Sequence, residues 1–162
     1  IRHTQGSGKS YSMTFLAGNL INSLILKNPT IVVVTDRNDL DGELFDTFSG
    51  ASEFLRQTPL QVDSRSHIKE LLENRKTGGI NSLLFKNLKK RQGLLSDRKN
   101  IIVMVDEAHR SQYGVDAKYD LETGEQKYGY AKSLREVPPN ATFIAFTGTP
   151  IETTDKSTTG LF

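Results

Sequence analysis

The chain has 162 residues, of which 36% are hydrophobic and 25% charged. That is ordinary globular usage, and it argues against both a disordered polymer and a membrane-embedded one. There is no cysteine, so a disulfide framework and any thiolate metal site are excluded, and a cytoplasmic setting fits. A formal charge of +2 is too small to name a partner. The length predicts one compact domain. No apolar run is long enough to span a bilayer, and no secretory signal is expected from Ile1-Arg2-His3-Thr4.

Gly6-Ser7-Gly8 runs directly into Lys9-Ser10, and Phe15, Leu16, Leu20, Leu24 and Ile25 then follow at helical spacing. A glycine loop therefore opens a helix, which Asn28-Pro29 is expected to end. The β-branched run Thr30 to Thr35 predicts a strand buried on both faces, as in a parallel sheet. Asp36-Arg37-Asn38-Asp39 reads as a strand exit and helix cap, with Leu40, Leu44, Phe45 and Phe48 on the next helix. His67 to Arg75 predicts a shorter helix stopped at Gly78-Gly79. Ile101 to Val105 is the clearest second buried strand. Gln112 to Tyr128 predicts an exposed loop or hairpin, and Ala141 to Phe146 a third strand after the break at Pro138-Pro139. Strands alternating with helices indicate α/β architecture with a mainly parallel sheet.

Two segments carry chemistry. Thr4-Gln5-Gly6-Ser7-Gly8-Lys9-Ser10 ends as a phosphate-binding loop ends, its glycines letting backbone amides encircle phosphate oxygens at the positive end of a helix. In that role Lys9 neutralises the β and γ phosphates of ATP and the Ser10 hydroxyl ligates Mg²⁺. The general pattern places glycine where His3 stands. The second segment, Asp106-Glu107-Ala108-His109, follows an apolar strand. By itself an acidic pair at a strand end commonly caps a helix or turn. Behind a phosphate loop, Asp106 reads as a Mg²⁺ ligand and Glu107 as the base for an attacking water. No arginine can be assigned to the γ phosphate, which points to another domain or subunit as its source.

The loop, Asp106 to His109 and Thr147-Gly148-Thr149-Pro150 resemble, in order and spacing, motifs I, II and III of superfamily 2 helicases and translocases. More narrowly, His3 to Ser10, Val33 to Asp41, Asp106 to Tyr113 (DEAHRSQY) and Phe146 to Pro150 resemble the restriction subunit of type I restriction enzymes. In that family His3 is no departure. The resemblance implies a three-layer RecA-like P-loop domain whose first strand is missing, so that residues 1–162 form part of the first of two motor domains. It places a nuclease domain, the second RecA-like domain and a helical tail outside this sequence. It implies ATP-driven movement on double-stranded DNA, with modification and specificity subunits as partners. Thr147 and Thr149 would couple nucleotide state to domain movement, and Asp36-Arg37 would lie near the DNA. Two other readings stay open: a superfamily 2 helicase without nuclease, and a nucleotide-binding module without turnover of its own.

One stretch departs from the pattern. After Gly78-Gly79-Ile80 the family leads to expect a strand ending in a string such as FTTIQKF, but residues 81–90 read NSLLFKNLKK. Plausible codons for Leu83 to Lys90, read one base earlier, give FTIQKFEK and point to a local reading-frame slip. In that case the basic cluster Lys86, Lys89, Lys90 and Arg91 is an accident of frame; otherwise it reads as a solvated helix face.

Overall fold

The computed structural model describes residue 1 and residues 7–35, 38–84, 94–108, 118–119, 126–127, 138–148, 152–153 and 156–157. In chain order the elements are α1 (Lys9–Ile21), β1 (Thr30–Thr35), α2 (Asn38–Gly50), α3 (Ser52–Leu55), β2 (Leu60–Val62), α4 (Arg65–Asn74), β3 (Ile80–Leu84) and β4 (Ile101–Val105). There follow β5 (Lys118–Tyr119), β6 (Gln126–Lys127), β7 (Thr142–Ala145), β8 (Glu152–Thr153) and β9 (Lys156–Ser157). The pairs β5–β6 and β8–β9 are small antiparallel ladders, the first within the segment expected to form a loop or hairpin.

Five strands form the main sheet in the order β2-β3-β1-β4-β7, and every pairing in it is parallel. Because side chains alternate along a strand, β1 feeds two cores at once. Ile31 and Val33 pack with Met13, Ala17 and Ile21 of α1 and with Leu44, Phe48 and Leu55 of α2 and α3. Val32 and Val34 pack on the opposite face with Ile68 and Leu72 of α4. Helices therefore cover both faces, the arrangement that near-continuous apolar strands require. The central strands are also where truncation costs most: an Ile or Leu cut to Ala in such a core typically costs about 2–5 kcal/mol.

The first helix is shorter than its sequence pattern. It ends at Ile21, where Asn22 turns back on it, its backbone N–H and side-chain amide both donating to the Gly18 carbonyl at 3.0 and 2.8 Å. Leu24 and Ile25, expected on the helix, lie beyond it and are 94% and 89% exposed. Their spacing matched the helix only because two apolar turn residues happened to fall in phase with it. The helix expected over His67 to Arg75 starts earlier, at Arg65, because Ser64 caps it by accepting the His67 N–H at 3.2 Å. The strand expected over 141–146 pairs as 142–145. Three-residue β2 and four-residue α3 had no period long enough to read.

β3 extends from Ile80 to Leu84 and fits between β1 and β2 in parallel register despite carrying Asn81 and Ser82, both buried. The Asn81 Oδ1 is buried and has no hydrogen-bond partner among the described residues, an arrangement that typically costs about 1–3 kcal/mol. Residues 85–93, with the basic cluster, lie outside the described residues.

At the amino ends of the strands, Arg98 ties the sheet to α4. Its guanidinium donates to the Leu72 carbonyl at 3.3 Å, to the Arg75 carbonyl, to Thr30 Oγ1 at 2.8 Å and to Asn100 Oδ1 at 3.0 Å. Partial burial lowers its pKa from the ordinary arginine value. These contacts satisfy carbonyls at the α4 carboxyl end that the helix cannot satisfy itself.

Gly18 and Phe54 show a packing constraint of the opposite kind. A Cβ on Gly18 would stand 2.1 Å from the Phe54 ring, which meets Phe15 edge-on at 5.7 Å. Gly18→Ala should therefore gain the ~1 kcal/mol of helix propensity only when the ring is gone. Hydrogen exchange of the α1 amides should show that gain in a Phe54→Ala background and little or none with Phe54 present. Equal gains in both would contradict this packing.

Candidate active site

The phosphate-loop end and the acidic pair, 98 residues apart in sequence, meet at the carboxyl ends of β1 and β4. Gly8 adopts a left-handed backbone, φ 76°, immediately before α1. That conformation is open to glycine at no steric cost, and it turns the chain into the helix. Lys9 is the first helical residue and Ser10 the second. Thr14 secures this first turn by donating its hydroxyl to the Ser10 carbonyl at 2.9 Å.

Asp106 leaves the sheet directly after β4, its amide donating to the Val34 carbonyl of β1 at 2.9 Å. Its carboxylate accepts from the Glu107 amide at 2.8 Å and lies 2.8 Å from the Lys9 ammonium. The Lys9 ammonium also donates to the Glu107 carboxylate. One cation therefore stands against two anions, with side-chain exposures of 18% for Lys9, 8% for Asp106 and 24% for Glu107. Burial works against the Lys9 charge, but hydrogen bonds and charge from Asp106 and Glu107 outweigh it, and the pKa lies above the ordinary lysine range. Lys9 is thus held as a cation throughout the neutral range, which is what a phosphate-binding side chain requires.

Glu107 itself has φ 49°, a left-handed backbone on a residue with a Cβ. Such a conformation costs roughly 1–2 kcal/mol. No sequence signal marked it, because glutamate does not favour this region as Gly and Asn do. The next residue is pinned: the Ala108 amide donates to the Phe146 carbonyl at 3.0 Å, and the Phe146 amide to Val105 at 2.8 Å. The acidic segment is therefore bonded directly to the chain entering Thr147-Gly148, a link that the two motifs gave no means of reading. Thr147 is buried, and its amide donates to the Ile1 carbonyl at 3.1 Å. The Ile1 ammonium donates to the Ala145 carbonyl at 2.7 Å. Together these bonds make one rung of a parallel ladder beside β7.

Of the residues expected at the site, the structure brings Gly8, Lys9, Asp106 and Glu107 together, with Ser7 and Ser10 flanking them in the chain. Thr4, Gln5, Gly6, Arg37, His109, Thr149 and Pro150 lie outside the described residues.

Comparing Glu107→Gly with Glu107→Ala separates backbone strain from the lost carboxylate, since both variants lack it. The glycine variant should be the more stable by about 1 kcal/mol. A more stable alanine variant, as at an ordinary right-handed position, would show that the strain is absent.

Known proteins resemble this chain in sequence and in fold. A type I restriction enzyme HindI endonuclease subunit of Haemophilus influenzae is 52% identical over 165 residues, covering 99% of this chain and 16% of that protein. The chain thus spans about one sixth of that relative's length. Among solved structures, a complex of a Saccharomyces cerevisiae Dbp5 variant with Nup159, Gle1, IP6 and ADP superposes with a TM-score of 0.57 at 14% identity, covering 93% of this chain and 37% of that one. The yeast DEAD-box splicing factor Prp28 gives a TM-score of 0.54 at 15% identity, covering 93% and 36%. At such identities these two show the fold, that of a RecA-like domain. The SWI2/SNF2 ATPase model matches residues 1–162 throughout, and the chain belongs to that family.

Proposed function

We propose that this chain binds and hydrolyses Mg-ATP as part of the first RecA-like motor domain of a type I restriction endonuclease subunit, and that hydrolysis drives translocation on double-stranded DNA. The observation that carries the reading is the Lys9 ammonium set between Asp106 and Glu107, directly after the left-handed Gly8 at the start of α1. The restriction-enzyme relative at 52% identity favours this assignment over a helicase with no nuclease.

The donor set fits the group it would hold. The left-handed Gly8 and the amides at the start of α1 suit phosphate oxygens. Among the described residues no cluster of three or more His, Cys, Asp or Glu could hold a metal alone. A cation at Asp106 and Ser10 would thus take its other ligands from phosphate and water, the usual coordination of Mg²⁺. When bound, Mg²⁺ supplies charge neutralisation at the triphosphate.

The chain's own residues divide the remaining work. Lys9 would exchange a carboxylate partner for phosphate oxygens, a trade between two anionic partners that keeps its charge compensated throughout. Glu107, released from Lys9, would accept the proton of the water that attacks the γ phosphorus, while the bond to the ADP oxygen breaks. The Ala108–Phe146 bond ties any shift of Glu107 to Thr147, a short path from nucleotide state to domain movement. An arginine for the γ phosphate would come from the second motor domain. Partners would be duplex DNA, held by its phosphates, and the modification and specificity subunits, the latter choosing the site. The setting would be cytoplasmic, as the restriction-enzyme assignment implies.

Glu107→Gln in the full-length subunit should keep Mg-ATP binding and lower DNA-stimulated hydrolysis by roughly 10²-fold or more, the usual worth of a positioned base. Hydrolysis at the wild-type rate would remove Glu107 from that role.

A further inference from the structure

Tyr11 is an aromatic side chain with no place in either core, and it is 65% exposed on the first turn of α1. It follows Lys9-Ser10 directly, so its position is set by the same turn that presents the phosphate-binding groups. Two residues on from Lys9, it leaves the helix about 200° round the axis. Lys9 points to Asp106 and Glu107; Tyr11 therefore stands across the axis of α1 from the carboxylates.

Side chains on a helix lean toward its amino end. The Tyr11 ring does so, with its Cδ2 4.0 Å from the place a Cβ on Gly8 would occupy. The ring thus sits beside Gly8, at the start of α1. One turn behind it, Phe15 is 58% exposed and is met edge-on by Phe54 at 5.7 Å. An aromatic ridge consequently starts at the phosphate loop and runs along the outer face of α1.

A nucleoside triphosphate is asymmetric, and this geometry can orient it. Its hydrolysable end belongs with Lys9, Asp106 and Glu107 on the ATP-site reading, so the nucleoside leaves on the side of α1 away from the carboxylates, where Tyr11 stands. We infer that Tyr11 is the platform on which the nucleoside of the bound triphosphate rests, its ring packing against base or ribose. This rests on the ATP-site reading above and adds a positioning and affinity residue to it. Stacking tolerates any base, so Tyr11 would supply nucleoside affinity without choosing adenine from guanine.

The test compares Mg-ATP with magnesium tripolyphosphate, which has the phosphates and no nucleoside, in the full-length subunit. Tyr11→Ala should weaken Mg-ATP binding roughly tenfold, the fold-change that about 1.4 kcal/mol of stacking gives, and leave tripolyphosphate binding unchanged. Tyr11→Phe should restore ATP affinity, because the ring and not the hydroxyl does the packing. Unchanged ATP binding in Tyr11→Ala would overturn the inference. So would equal weakening of both ligands, which would make Tyr11 a support of the loop itself. Failure of the wild type to bind either ligand would instead strike the ATP-site reading, and Tyr11 with it.

Discussion

Everything at the candidate site depends on one electrostatic constraint: two carboxylates are fixed at adjacent positions at the end of a buried strand, and a cation must stand against both. Asp106 and Glu107 cannot drift apart, because β4 is held between β1 and β7 and both flanking amides are bonded into the sheet. Unopposed, they would repel one another and any approaching triphosphate. Lys9 resolves this without a ligand by pairing with both. On the proposed reading the triphosphate would not have to create a positive site; it would compete for one that already exists.

The contact of Lys9 with both carboxylates rests on the sheet beneath them. α1 is anchored by Met13, Ala17 and Ile21 against one face of β1 and its neighbours, and Ile68 and Leu72 of α4 close the other. With both faces packed, the carboxyl ends of β1 and β4 are held by the sheet. The left-handed backbone of Glu107 lies just after β4. Strain at such a position persists only where the surroundings over-determine it. Here the surroundings are the Asp106 amide bonded to Val34 and the Ala108 amide bonded to Phe146.

The sequence was most legible where one residue type has few alternatives. The runs at 30–35 and 101–105 could be buried only on both faces, and Gly8-Lys9 marked a helix start, so those strands, the opening of α1 and the acidic pair at the end of β4 fall where their patterns placed them. It was least legible where tertiary contacts decide. Leu24 and Ile25 kept the helical period past the point where Asn22 had already turned the chain. β2 was too short to show a period, and β3 holds its register through backbone bonds although Asn81 interrupts its apolar run. The bond from Ala108 to Phe146 joins two motifs read separately, and main-chain bonds leave no trace in side-chain identity.

The most direct test of the central claim, that the Lys9 cation is shared between protein carboxylates and an incoming triphosphate, is a structure of the full-length subunit with Mg²⁺ and a non-hydrolysable ATP analogue. The expected result has Lys9 withdrawn from Glu107 and bonded to phosphate oxygens, Mg²⁺ between Ser10 and Asp106, and the Glu107 carboxylate turned toward a water at the γ phosphorus. Nucleotide bound elsewhere, with Lys9 still paired to both Asp106 and Glu107, would contradict it.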